Sequence, residues 1–182
     1  MIRGILLLAD GFEETEAIAT YDVLRRSGEV STVLASISSS LEVVSSGGIR
    51  VVADGFLPQM ERDAYSFLIL PGGKIGVDNL KRSEEVKSWI LDFAEKGKYL
   101  FAICAAPSIL GELGLLDGKR YTCFPGFERG KGEYRFEGSV IDGNLVTGHS
   151  MAYSIPFGED ILRVLLGEEA VKRIEHGTKG TR

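Results

Sequence analysis

At 182 residues the chain is long enough to bury a substantial core without disulfides or metal, and its length suits a single domain over 1–182. Its 44% hydrophobic and 26% charged residues are those of a soluble globular protein, and a net charge of -5 with no long basic run argues against nucleic acid as a partner. Two cysteines, Cys104 and Cys123, are too few for a disulfide framework and lack zinc-site spacing, so no metal and a reducing, cytoplasmic setting are expected.

Ile2 to Ala9 is a nearly continuous apolar run, the pattern of a strand buried on both faces of a parallel sheet. Its Ile5–Ala9 stretch stops at Asp10 with glutamates following, too short for an export signal or a membrane span. A helix is expected over about Glu13–Arg26, closed by Ser27-Gly28, and then a strand over Val30–Ala35. Leu41–Val44 and Ile49–Ala53 flank Gly47-Gly48 as a hairpin or edge excursion. Phe67–Leu70 is the next buried strand, broken at Pro71-Gly72-Gly73. Ser83 caps a helix to Lys96, with Glu84 and Glu85 at its positive end and Val86, Trp89, Ile90 and Phe93 at helical spacing.

Tyr99–Ile103 is an apolar strand that runs into Cys104 and turns at once into the small residues Ala105-Ala106-Pro107-Ser108. That is the pattern of a nucleophile elbow, which presents its side chain at the carboxyl edge of a sheet, where amides favour an anion and hence the thiolate. A short strand, Tyr121–Phe124, follows, then Val140-Ile141 and Leu145-Val146 around the turn Asp142-Gly143-Asn144. Helices over Pro156–Leu166 and Glu168–His176 finish the chain before a polar tail, about 177–182, expected to fray. Buried strands alternating with amphipathic helices predict an α/β fold with a mostly parallel sheet, whose ligands lie beyond the carboxyl ends of the strands. The loops after Ala9 and Leu70 and the elbow at Cys104 meet there.

Three patterns stand in order: Asp10-Gly11-Phe12-Glu13-Glu14-Thr15-Glu16, Leu70-Pro71-Gly72-Gly73 and Ala102-Ile103-Cys104-Ala105-Ala106-Pro107. Together they resemble the ThiJ/PfpI superfamily, specifically its DJ-one branch, over nearly the whole chain. The resemblance implies a flavodoxin-like three-layer sandwich with helices on both faces of the sheet, a homodimer, and a reactive cysteine beside a glutamate from the first helix, with no cofactor. On matching positions the cysteine is Cys104, the glutamate Glu16, and the nearby amides those of Gly73 and Ala105. Activities that it implies include glyoxalase and protein deglycase chemistry, with a small electrophile or a glycated protein as substrate, redox sensing, chaperone-like behaviour and, in other branches, peptidase activity.

The glutamates are read two ways. A helical wheel puts Ala17, Ile18, Tyr21 and Leu24 on one face with Glu14 near its centre and Glu16 off it, beside Ala19 and Val23. Pattern favours Glu14; the resemblance favours Glu16, whose burial a homodimer contact would supply, raising its carboxyl pKa. Gly72-Gly73 serves as a tight turn and as a close approach to the cysteine. Peptidase-like branches carry a histidine where Ala105 stands, and several members carry one where Phe124 stands, so a Cys–His dyad is not expected. His176 falls in the polar tail, while His149 at a strand end is a candidate for the pocket. Cys123 is either a structural thiol or a resolving cysteine at the pocket rim.

Overall fold

The computed structural model describes residues 1–180. Strand β1 (Ile2–Leu8) leads into helix α1 (Glu14–Arg26) and strand β2 (Val30–Ser36), followed by a hairpin of β3 (Glu42–Val44) and β4 (Arg50–Val52) and the short edge strand β5 (Gly55–Phe56). Next come β6 (Phe67–Leu70), α2 (Lys74–Arg82), α3 (Glu84–Glu95), β7 (Tyr99–Ile103) and α4 (Pro107–Glu112). The chain then passes through β8 (Arg120–Tyr121), β9 (Glu133–Tyr134), β10 (Ser139–Asp142) and β11 (Leu145–Gly148) to α5 (Ser154–Leu166) and α6 (Glu168–Lys179).

Seven strands form one sheet in the order β10-β11-β7-β6-β1-β2-β5, parallel except for β10, which folds back on β11. The unbroken apolar run of β1 is explained by its place inside the sheet: Ile5 and Leu7 enter one core with α2, α3 and α4, while Leu6 and Leu8 enter the other with α1, α5 and α6. Helices on both faces of a mostly parallel sheet make a flavodoxin-like three-layer sandwich. Leu6 sits in register with Leu34 of β2 and Ile69 of β6, so the carboxyl ends of β1 and β6 lie side by side.

Several expectations change. The nine-residue α2 directly follows Gly73, where the sequence suggests only a break. Its composition, with Gly76, Asp78 and Asn79, is poor for a helix, and it is held by packing: a Cβ at Gly76 would lie 2.8 Å from the Phe12 Cα. The strand expected over Tyr121–Phe124 shrinks to Arg120–Tyr121 and pairs with β9 in a separate two-stranded sheet. The reason lies in the hydrogen bonding beyond it. The Thr122 amide donates to the Thr147 hydroxyl and the Phe124 amide to the Cys104 carbonyl, so neither joins a ladder. Helix α6 continues past His176 to Lys179 and closes on Gly180 in the left-handed region, so residues 177–179 of the expected tail are helical; residues 181–182 lie outside the described residues. No described helix is long and apolar enough to cross a membrane.

The face of α1 also differs from the wheel. Its buried residues are Glu16, Ala17, Thr20, Val23 and Leu24, while Ile18 is 42% exposed. The buried arc is rotated because α5 packs along α1, with Gly158 pressed against the Val23 side chain. The second buried side of α1 therefore comes from this same chain.

Candidate active site

Cys104 directly follows β7 with φ 63, and among the described residues no other non-glycine residue has positive φ. The left-handed conformation costs an L residue roughly 1–2 kcal/mol, and it is held here by bonds on every side. The Cys104 amide donates to the Gly148 carbonyl, the Ala106 amide to the Ile103 carbonyl, and the Phe124 amide to the Cys104 carbonyl. Such strain fixed by its surroundings is the signature of an elbow. Helix α4 is only six residues long, so the electrostatic support at the sulfur comes from individual amides, those of Ala105 and Gly73.

Glu16 faces the thiol from α1. It is 1% exposed, and its Oε2 accepts the Gly72 amide at 2.8 Å. Burial pushes its carboxyl up to about 7; the hydrogen bond with Cys104 and that from Gly72 pull it down, while the charge of Glu13 raises it further. Glu13 is the N-cap of α1, and its carboxylate accepts the Glu16 amide at 2.7 Å. Gly72 is wedged between the two groups: a Cβ there would meet Glu16 Oε2 at 2.4 Å and Cys104 Cβ at 2.7 Å. Gly73, at φ 87, is equally confined, with the Gly11 carbonyl 2.4 Å from where its Cβ would stand.

The thiol does not carry the simple activation expected of the elbow amides. Burial, then the Glu16 charge and its hydrogen bond, push the Cys104 thiol up, and the Ala105 and Gly73 amides only partly oppose them. While Glu16 is ionised the sulfur keeps its proton. Once Glu16 is neutral that repulsion is gone, and burial alone is left to oppose the Ala105 and Gly73 amides at the sulfur.

The structure separates the other candidates. Glu14 points away: its carboxylate accepts the Ser46 hydroxyl at 3.1 Å and the Gly47 amide at 3.2 Å, capping the β3–β4 turn. These contacts, with that of its own amide the largest, hold its carboxyl below the usual range. The wheel placed Glu14 on the buried face because it took Ile18 as buried. His149 does not line the cavity at Cys104; its Nδ1 lies 3.2 Å from the Thr122 hydroxyl, and its ring stands edge-on to Phe136 and Tyr153. His176 is exposed near the end of α6.

Cys123 has 0% exposure and packs in the core shared with α2 to α4, whereas Cys104 borders the core on the α1 and α5 side. Burial, with the Glu128 charge, pushes its thiol up to about 12. Mild peroxide is accordingly expected to leave sulfenic and sulfinic acid on Cys104 with Cys123 free. Peptide mass spectrometry reads this, and a 104–123 crosslinked peptide from folded protein would show the two thiols within reach.

A cavity of about 330 Å³ opens over the sulfur. Glu13, Glu16, Gly73, Ala105 and Cys104 form its floor, and Phe124, Phe127, Lys74, Ser150 and Met151 its walls. Sequence reasoning singled out Phe124 among the wall residues; the stretch His149-Ser150-Met151-Ala152, which departs from the Gly-Pro-Gly type of loop of the resembling branch, bore on pocket shape, while Phe127 and Lys74 were missed. Phe127 lies outside any periodic element, Met151 opens a single 3-10 turn over Met151–Tyr153, and Lys74 lies in the unanticipated α2; the acidic cluster did contain Glu13, whose capping position was its available signal. No group of His, Cys, Asp and Glu among the described residues could hold a metal ion.

Comparison with known proteins agrees with this geometry. The chain is 36% identical to Protein DJ-1 homolog B of Arabidopsis thaliana over 94% of its own length, and spans 40% of that relative. It is 30% identical to Protein dj-1beta of Drosophila melanogaster, covering 96% of this chain and 95% of the fly protein. A cysteine-to-alanine variant of a DJ-1 superfamily protein from Salmonella typhimurium superposes with a TM-score of 0.91, at 33% identity and full coverage of both chains. Oxidised DJ-1 of Toxoplasma gondii superposes with a TM-score of 0.89, at 28% identity over 98% of each chain. The DJ-1/PfpI family model matches residues 3–164, and the chain belongs to the DJ-1/PfpI family.

Proposed function

We propose that Cys104 is a covalent nucleophile for α-oxoaldehydes or their adducts on proteins, with Glu16 as its proton partner and no cofactor in the cycle. The observation that carries this reading is the pairing of a strained elbow cysteine with a buried carboxyl whose pKa is raised to about 7. The thiolate adds to the aldehyde carbon, the carbonyl electron pair moves to oxygen, and the protonated Glu16 supplies the proton. The amides of Gly73 and Ala105, already directed at the sulfur, lie near the oxygen of the adduct. Glu16 then takes the proton from the former aldehyde carbon, and one returns at the neighbouring carbon, leaving a thioester of a 2-hydroxy acid. Water cleaves the thioester, releasing the hydroxy acid and the thiol. Net, aldehyde and water give hydroxy acid.

Lactate formation from methylglyoxal tests the proposal. Wild-type turnover is expected to fall at least about a hundredfold in Cys104→Ala, since removing a covalent nucleophile removes the pathway itself. Turnover unaffected by the substitution would sink it.

A second reading treats Cys104 as an oxidisable sensor thiol. Its support is that the sulfur is partly exposed beside its proton partner, and that the Toxoplasma relative has been solved in an oxidised form. Peroxide sensitivity without cysteine-dependent turnover would favour it. Peptidase action has less behind it, because His149 is engaged by Thr122 and Ala105 occupies the residue after the nucleophile. We further propose a homodimer in a reducing, cytoplasmic setting: Ile18, Phe136, Tyr153 and Ile155 remain exposed and apolar on the single chain, and both cysteines are free.

A further inference from the structure

At the sulfur of Cys104 the cavity holds the Glu16 carboxyl and the amides of Gly73 and Ala105. Glu13, Lys74 and Ser150 are the other polar residues of a lining that is otherwise apolar. The walls further out are Phe124, 45% exposed, Phe127, and Met151, 49% exposed. Large apolar side chains left open to water around a nucleophile are a standing cost that an apolar occupant removes.

These walls are fixed relative to the sulfur. The Phe124 amide donates to the Cys104 carbonyl at 2.8 Å, and the Phe127 amide to the Phe124 carbonyl at 3.1 Å. The two rings stand edge-on, with centroids 6.4 Å apart at 68°. The Met151 carbonyl accepts the Ser154 hydroxyl at 2.7 Å, which ties its turn to the start of α5. Met151 adds an adaptable thioether to the same cavity lining. Of the charged groups, Glu13 is engaged as the N-cap of α1, and Lys74 stands exposed. A three-carbon aldehyde bonded to the sulfur would leave most of the 330 Å³ to water.

We infer that the Cys104 site selects electrophiles carrying an aryl or branched alkyl substituent over the smallest members of the class, with Phe124, Phe127 and Met151 as the specificity-determining residues. The inference rests on the nucleophile role proposed above. In the oxoaldehyde series the favoured substrate is an arylglyoxal, whose ring removes all three side chains from water.

Alkylation separates the two ideas. Iodoacetamide and its N-phenyl analogue react by the same displacement: the Cys104 sulfur bonds to the methylene carbon, the carbon–iodine bond breaks, iodide leaves with the electron pair, and the thiol proton passes to Glu16 or solvent. Second-order rate constants for both are measured on the full chain and on N-acetylcysteine, and the modified residue is mapped by peptide mass spectrometry. The phenyl-to-parent ratio at Cys104 is expected to exceed that of N-acetylcysteine about tenfold, the value of partly burying one ring. Phe124→Ala and Met151→Ala are each expected to lower that ratio roughly threefold as part of the ring contact is lost. A ratio equal to that of N-acetylcysteine, with Cys104 labelled by both reagents, overturns the selectivity and leaves the nucleophile standing. Label absent from Cys104 with both reagents overturns the nucleophile and the selectivity together. The wild-type ratio decides the matter even where a variant does not fold.

Discussion

Glu16→Gln is expected to stabilise the protein by about 3 kcal/mol at pH 8 relative to its effect near pH 4, because one buried carboxyl carries a pKa of about 7 against an ordinary 4.5. The sign follows from proton binding. Below about 4.5 the folded and unfolded chains both hold the proton, and burial is not opposed by a charge. Between 4.5 and about 7 the folded state keeps a proton that the unfolded state has released, so stability falls as pH rises. Above about 7 the loss is complete, and a neutral glutamine escapes it. Glutamine also retains an oxygen that can accept the Gly72 amide. Denaturant unfolding at pH 4 and pH 8 measures the difference. An equal effect at both values would mean that Glu16 titrates like an exposed carboxylate.

The same substitution acts on the sulfur. Ionisation of Glu16 puts a negative charge against Cys104 and disfavours the thiolate, so the wild-type alkylation profile is expected to bend near pH 7. In Glu16→Gln that bend disappears and one ionisation remains. A bend that persisted would belong to another group.

Gly72→Ala is expected to disable the site while leaving the sandwich folded. The added Cβ would lie 2.4 Å from Glu16 Oε2, 2.7 Å from Cys104 Cβ and 3.1 Å from the Ile103 carbonyl oxygen. None of the three can yield freely: the carboxyl is enclosed, and the other two belong to the end of β7 and the elbow. Overpacking of this kind costs about 1–3 kcal/mol. Relief by expelling Glu16 would also break its bond to the Gly72 amide, so cysteine-dependent turnover is expected to drop at least about tenfold, a small displacement of a proton partner being enough. Turnover and the bend near pH 7 report together. Both unchanged, in a variant that unfolds normally, would show that the added Cβ does not displace the carboxyl from the thiol.

Much of this was legible in the residues themselves. The two-sided apolar runs of β1 and β6, the 3.6-residue spacing of Val86, Trp89, Ile90 and Phe93, and the Asp142-Gly143-Asn144 turn all express local periodicity and turn chemistry, which need no partner to be read. The elbow was legible for the same reason, since an apolar strand running into Cys104-Ala105-Ala106-Pro107 leaves the cysteine at a sheet edge. Helix α2 was not, because its stability comes from Gly76 fitting against Phe12 and not from its own propensity.

The sequence by itself determined the alternation of strands and helices, the position of Cys104 at the elbow and the absence of a histidine directly after it. Tertiary structure brought to the thiol Glu16, which the family resemblance favoured over the helical wheel's Glu14, and alone decided which way Cys123 faces and what the walls of the cavity are made of. The choice between Glu14 and Glu16 turns on where α5 lies across α1, and the walls on how segments around Phe124, Lys74 and Met151 converge on one sulfur. Burial and charge proximity are properties of segments far apart in the chain, and they raise both the Glu16 carboxyl and the Cys104 thiol.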